Sequence, residues 1–178
     1  MAQISGGAAL NDALRKMTRK LKTASVVRVG FLEGATYPDG TSVATVAALQ
    51  NFGAPGAGVP AHPFFTTMIA EKSPDWGRRF LNTLERTGYN AEAALNLFGE
   101  GMASQLRRSI IDMNSPALSP VTVLLRDRFR DHDEITFADV QQARRDVAAG
   151  KGVVANGALA KPLVWTGHML ASVDKEVE

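Results

Sequence analysis

From Ala54 to Pro63 the chain reads Ala-Pro-Gly-Ala-Gly-Val-Pro-Ala-His-Pro, and this run constrains the fold more than any other. Each proline fixes φ and removes a backbone donor, so neither a helix nor the interior of a sheet persists through Pro55, Pro60 and Pro63. With Gly56 and Gly58 between them, and Gly53 just before, the segment is expected to be a loop of about ten residues, longer than most connections. The chain therefore divides into a shorter section before the loop and a longer one after it.

In the first section Leu10, Leu14, Met17 and Leu21 recur at four, three and four, which predicts a helix from about Ala8 to Lys22 with one apolar face. Its other face carries Arg15, Lys16, Arg19, Lys20 and Lys22 against the single acid Asp12. From Ser25 to Leu32 the pattern alternates, with Val27, Val29 and Phe31 on one side and Val26 and Arg28 on the other, as in a strand with one buried face. Thr41 or Ser42 can cap a second helix with Val43, Val46, Ala47 and Leu49 as its stripe, ended by Gly53.

After the loop, Phe64, Phe65, Met68 and Ile69 open a short apolar element, and Ser73-Pro74-Asp75 is expected to start a new helix. Trp76, Phe80 and Leu84 form its stripe up to Gly88. Asn90 restarts the pattern, and Leu95, Phe98, Met102, Leu106, Ile110 and Met113 sustain it. Either one long helix bent at Gly88 or a hairpin fits. The segment from Asn114 to Pro120 breaks the periodicity, and Arg126, Asp127, Arg128, Arg130, Asp131, Asp133 and Glu134 read as a solvated surface. Phe137, Val140 and Ala143 predict a short helix ending by Gly150, and Lys161 to Gly167 leads into a last turn and a strand. The fold class expected is α+β, a small and mostly antiparallel sheet packed against long helices in a single domain with extended loops.

The composition narrows the chemistry. In 178 residues, 20 Lys and Arg stand against 18 Asp and Glu, a formal charge of +2, so bulk charge does not call for nucleic acid. With no cysteine there is no disulfide, thiolate metal site or cysteine nucleophile, which agrees with a reducing compartment. No signal peptide and no apolar run of about 18 residues is visible, so a soluble chain is expected. The surface is expected to be polar and balanced, without a long exposed apolar stripe.

Gly53, Gly56 and Gly58 lack the spacing of a dinucleotide fingerprint or a phosphate loop. His62, His132 and His168 are scattered, and His132 beside Asp131, Asp133 and Glu134 cannot converge with them on one ion because consecutive residues point apart. Ser172 follows His168 at i+4, but no third partner or oxyanion motif accompanies it. No catalytic residue, metal ligand or cofactor is expected, and the basic face of the first helix and the glycine loop are the candidate interfaces.

Three stretches, in order, carry a resemblance: Val46-Ala-Ala-Leu-Gln-Asn-Phe-Gly53, Val59-Pro-Ala-His-Pro-Phe-Phe65, and Lys161-Pro-Leu-Val-Trp-Thr-Gly167 with Leu170 and Ser172. Leu118, Ser119, Pro120 and Thr122 add a weaker match. Together they are similar to the tail-completion or neck proteins of tailed bacteriophages, the group that includes minor tail protein Z-like and related virion-morphogenesis proteins. The resemblance implies one tail-completion-like domain over residues 1–178, with 126–160 as an added charged element. It implies a non-enzymatic virion protein, assembled in the host bacterial cytoplasm, that closes the head-proximal end of the tail as a ring, six-fold like the tail tube. Its partners would be copies of itself, the tail tube or tail terminator, and neck or connector proteins, with transient contact to passing genomic DNA and no membrane.

A tail-terminator or head-completion role is the nearest alternative, and a nucleic-acid-binding protein using the basic helix is the alternative of another class. Pro60, Pro63 and Phe64, with Thr166 and Gly167, are the structural positions of the motifs. His62 stands where the family usually has arginine, which would make a charged contact there pH-dependent. Such a subunit is expected to be monomeric or weakly associated in isolation and to close its ring on a template.

Overall fold

The computed structural model describes residues 7–22, 24–130 and 134–178. Along the chain these form α1 (Gly7–Leu21), β1 (Val27–Phe31), α2 (Val43–Phe52), α3 (Phe64–Arg86), α4 (Ala91–Asp112) and α5 (Pro120–Arg128). Then follow α6 (Phe137–Ala148), α7 (Gly157–Ala160), α8 (His168–Ala171) and β2 (Val173–Val177). The class is α+β, with a two-stranded antiparallel sheet against a long helical hairpin.

That hairpin is α3 and α4, and the turn between them is reversed by Gly88 and Tyr89, both at positive φ. Asn90 then caps α4, its side-chain oxygen accepting from the Ala93 amide at 3.0 Å. The alternative of one bent helix is thereby excluded. Across the hairpin Phe80 meets Phe98 edge-on at 5.5 Å, and Trp76 Nε1 donates to Gln105 Oε1 at 3.1 Å.

The helix start expected at Ser73 does not occur, because α3 begins at Phe64 and runs continuously through Pro74. Two causes account for this. Asn51, buried at the end of α2, supplies a cap from outside the helix: its Oδ1 accepts from the amides of Phe65 at 3.0 Å and Thr66 at 3.2 Å. Pro74 and Ala70 both lie on the exposed side, where water can serve the carbonyl that the proline leaves unbonded.

One core joins α2, α3, α4, α8 and β2 through Val43, Ala47, Phe64, Met68, Leu106, Ile110, Met169 and Val173. Phe64 is fully buried, edge-on to Phe31 and Phe65, and Ser109 Oγ donates to its carbonyl at 2.7 Å. Leu49, placed by periodicity on the stripe of α2, is instead 45% exposed. The strands pair with Val27 opposite Val177, Val29 opposite Lys175 and Phe31 opposite Val173. Gly99 lets α4 approach them, since a Cβ there would fall 2.8 Å from Val27 Cγ2 and 2.9 Å from Lys175 Cδ. The sheet's outer face is charged, with Arg28 paired to Glu176 and Glu178.

Ser119 and Pro120, grouped above with a break, start α5: Ser119 Oγ accepts from the Thr122 amide at 3.1 Å with proline in the first turn. A reciprocal box of Thr136 and Asp139 starts α6, which packs on α5. Phe137, expected on the apolar side of that helix, is 76% exposed. The final strand is preceded by the single turn α8, entered through Gly167 at φ +71°.

Replacing Phe64 by alanine removes the largest fully buried side chain. The expected loss is about 3–5 kcal/mol, read from chemical denaturation with an unchanged m-value.

Candidate functional site

The two candidate interfaces lie at opposite ends of the hairpin. Lys20 Nζ donates to the Gly88 carbonyl at 3.3 Å, which holds the end of α1 at the α3–α4 turn. Gly53 and the loop precede Phe64, at the other end of α3, and a helix of 23 residues spans about 34 Å. The basic helix and the glycine loop therefore form separate surfaces.

Arg15, Lys16, Arg19, Lys20 and Lys22 are all exposed, and Lys16 pairs with Asp12 at 2.8 Å. The opposite face departs from expectation. Leu10 is 63% exposed and Leu14 52%, while Met17 at 36% and Leu21 at 41% are more covered and α1 touches α4, so the stripe is only partly packed on the body and its Leu10–Leu14 half stands open. The surface therefore does carry an exposed apolar stripe, the reverse of the expectation from composition. The periodicity that predicts the stripe carries no information on what lies opposite it.

In the loop, Gly56 and Gly58 stand in open space, but Gly53 is a packed position. At φ +72°, a Cβ on it would lie 2.8 Å from Ala61 N and 3.0 Å from the Val59 carbonyl oxygen. Ala54 and Val59 exchange backbone hydrogen bonds around a single 3-10 turn, Pro55–Ala57, so the loop is a closed and ordered bend. Pro60 and Pro63 are exposed at its end, and they deliver His62 and Phe64 inward. His62 Nε2 donates to the Pro116 carbonyl at 3.2 Å, leaving Nδ1 buried without a partner, so no ion pair occupies this position.

Thr166 Oγ1 accepts from the His168 amide at 3.2 Å, fixing the turn at Gly167. The His168 ring lies 4.7 Å from that of Tyr37, with Nε2 at 2.9 Å from the Thr36 carbonyl. Ser172 Oγ donates to the backbone carbonyl of His168 and not to its ring, so the i+4 spacing makes no nucleophile–base pair.

Arg126 corrects the reading of the mixed-charge run as solvated surface. It is buried, donates to the carbonyls of Lys161 at 2.7 Å and Pro162 at 2.9 Å, and lies 5.4 Å over the ring of Trp165. Burial lowers its pKa from the ordinary arginine value. Nothing local marks it, since its partners are backbone oxygens from a distant segment. Arg128 reaches the buried Asp146 of α6 at 2.5 Å, and Gln142 and Lys151 complete that carboxylate's shell. Asp131, His132 and Asp133 lie outside the described residues.

A cleft of about 780 Å³ lies beside the hairpin and includes Thr67, Glu71, Arg79, Arg108 and Asp112 in its wall. Its carboxylates are engaged, Glu71 by Lys72 and Asp112 by Arg108. Among the described residues no group of three His, Cys, Asp or Glu side chains could hold a metal ion, and no helix is long and apolar enough to cross a membrane. Comparison with protein-family models, with curated proteins and with solved structures finds no match.

The Arg128 hydrogen bond and, after it, that of Gln142 hold the Asp146 carboxyl down to about 2, against 3.8 ordinarily. A carboxyl depressed on folding stabilises the native state above its unfolded pKa and loses that effect as pH falls through its folded one. Acid titration of the wild type should therefore show stability falling between about pH 4 and pH 2. In Asp146→Asn this part of the slope should be absent, as read by denaturation midpoints across the range.

Proposed function

We propose that this chain is a structural subunit of a phage neck or tail, completing the head-proximal end of the tail as a ring and helping to join tail to head. The observation that supports this is where the three motifs of the resemblance meet. Asn51 of the first caps the helix that Phe64 of the second begins, and Leu163 of the third enters the same core as Phe64. Motif residues that act together as one folding joint suit a family defined by architecture and not by a reaction. The carboxylates of the cleft beside the hairpin are engaged by Lys72 and Arg108, and the His168 ring is held by the Thr36 carbonyl and Tyr37, so neither offers an acid–base constellation to set against this reading.

In this reading the exposed basic face of α1 meets an acidic neighbour in the neck, where steering charges promote encounter and register. Charge reversal at Arg19 and Lys20 leaves the core folded, because both side chains are exposed, and Arg19→Glu alone, which spares the Lys20 bond to Gly88, separates the charge effect from release of α1. The expected outcome, read by electron microscopy of particles and by infectivity, is an accumulation of unjoined heads and tails.

Normal particles with a defect confined to DNA ejection would move α1 into the channel. Tight DNA binding by the free protein that falls steeply with salt would favour the nucleic-acid reading instead. Absence of the protein from purified particles, together with unimpaired joining when it is deleted, would remove the virion reading altogether.

A further inference from the structure

α1 is a 15-residue helix whose main contact with the body is at α4, with Leu10 and Leu14 of its stripe more than half exposed. An isolated helix of that length is marginal in water, and its Leu10–Leu14–Met17–Leu21 stripe has the four-three-four spacing of a seam that packs on another surface. Arg15, Lys16 and Arg19 lie away from the seam, and its flanks are Asn11, Ala13, Thr18 and Lys20. The surface that covers the seam is thus expected to be apolar and almost free of charge.

The same chain presents such a surface at the far end of the hairpin. α2 contains no charged residue, and between it, β1 and the start of α3 runs a groove of about 240 Å³. Phe64 and Ala47 form its floor, Phe31, Ala48 and Phe65 its sides, and Phe52, 69% exposed, stands at its rim. No ionisable side chain lines it. Its volume is below the ~300–1,000 Å³ of typical small-ligand sites, and its open lining of aromatic and alanine side chains suits the apolar ridge of a helix.

We infer that the α1 stripe of one copy docks into the α2–β1–α3 groove of the next. Occupation by the chain's own helix conflicts with the geometry. The end of α1 is held at Gly88, its stripe from Leu10 to Leu21 extends about 17 Å, and the groove lies about 34 Å away along α3. A contact between two different patches of identical chains is head-to-tail, which builds a ring where the rotation closes. This deepens the ring reading above by naming the two segments that meet. One helix in one groove buries less than the ~1,600 Å² of a standard stable interface, so free subunits associate weakly and closure is favoured on a template.

The chain has no cysteine, which makes the test direct. Leu14→Cys and Ala48→Cys, both at exposed positions, are made singly and together and treated with a short bismaleimide over a range of protein concentration. The double variant is expected to give a ladder of linked oligomers, and an equimolar mixture of the singles a mixed dimer. Each single variant alone should remain unlinked. Adding Phe52→Asp, which sets a carboxylate at the groove's rim, should lower the yield about tenfold or more with the melting temperature unchanged.

Dimers from Leu14→Cys alone would mean that α1 pairs with α1, and an intrachain link in the double variant would mean that the groove takes its own helix. Either result overturns the inference, as would the absence of any interchain product at millimolar concentration. So would co-sedimentation with anionic lipid vesicles that Leu14→Asp abolishes, in the absence of a ladder. A ladder from a protein missing from phage particles would leave this contact standing while removing the virion reading, and α1–α1 dimers from a protein present at the tail would do the reverse.

Discussion

The side-chain oxygen of Asn51 is the point on which the architecture turns. A helix start leaves amides without partners, and α3 has no cap of its own, since Pro63 precedes it with no side-chain acceptor. Asn51 fills that gap from the last turn of α2, and also lies within 3.4 Å of Thr66 Oγ1. One residue thereby fixes where α3 begins and how the closed bend between the helices must return. Phe64 follows directly, and its ring and carbonyl are the contacts around which α4 and β1 gather. Gly53 belongs to the same joint, because only a residue without a side chain permits the bend to fold back on Ala61.

A second joint closes the other half of the molecule. Arg126 ties α5 to the Lys161–Pro162 segment, which carries Leu163 into the core. Its guanidinium is satisfied by carbonyl dipoles and an aromatic face, with no carboxylate partner among these contacts. Losing that side chain would strand two inward-facing carbonyls, the more costly half of a broken hydrogen bond. The Arg128–Asp146 pair holds α6 to α5 by charge, so two arginines of one helix, two positions apart, serve two different kinds of attachment.

Local signals account for what the sequence made legible. Periodicity placed α1, β1, α2 and α4 to within a residue or two, because each carries its apolar pattern and its stop or cap within its own span. Continuity of α3 through Pro74 was not legible, since the deciding cap comes from fourteen positions upstream. The start of α5 is encoded locally in Ser119, Pro120 and Thr122, but Pro116 and Pro120 within the same short stretch read equally as helix breakers. Burial of Arg126 and exposure of the α1 stripe depend on what lies across a gap in space, which composition and spacing do not encode. The candidate interfaces were legible as residues and not as a geometry, and only the folded hairpin separates them to its two ends.

The ladder of β1 and β2 is extended at its open end by the amides of Ser25 and Val26, both bonded to the Glu178 carbonyl. Antiparallel hydrogen bonds run across the strand axis. A load applied along β1 would therefore strain these bonds in shear, several at once, instead of peeling them apart in turn. With Val27 and Lys175 wedged against Gly99, sliding of the strands is further opposed by side chains that cannot pass the helix. The two-stranded sheet is thus better braced against sliding than two strands of five residues would be by their own hydrogen bonds.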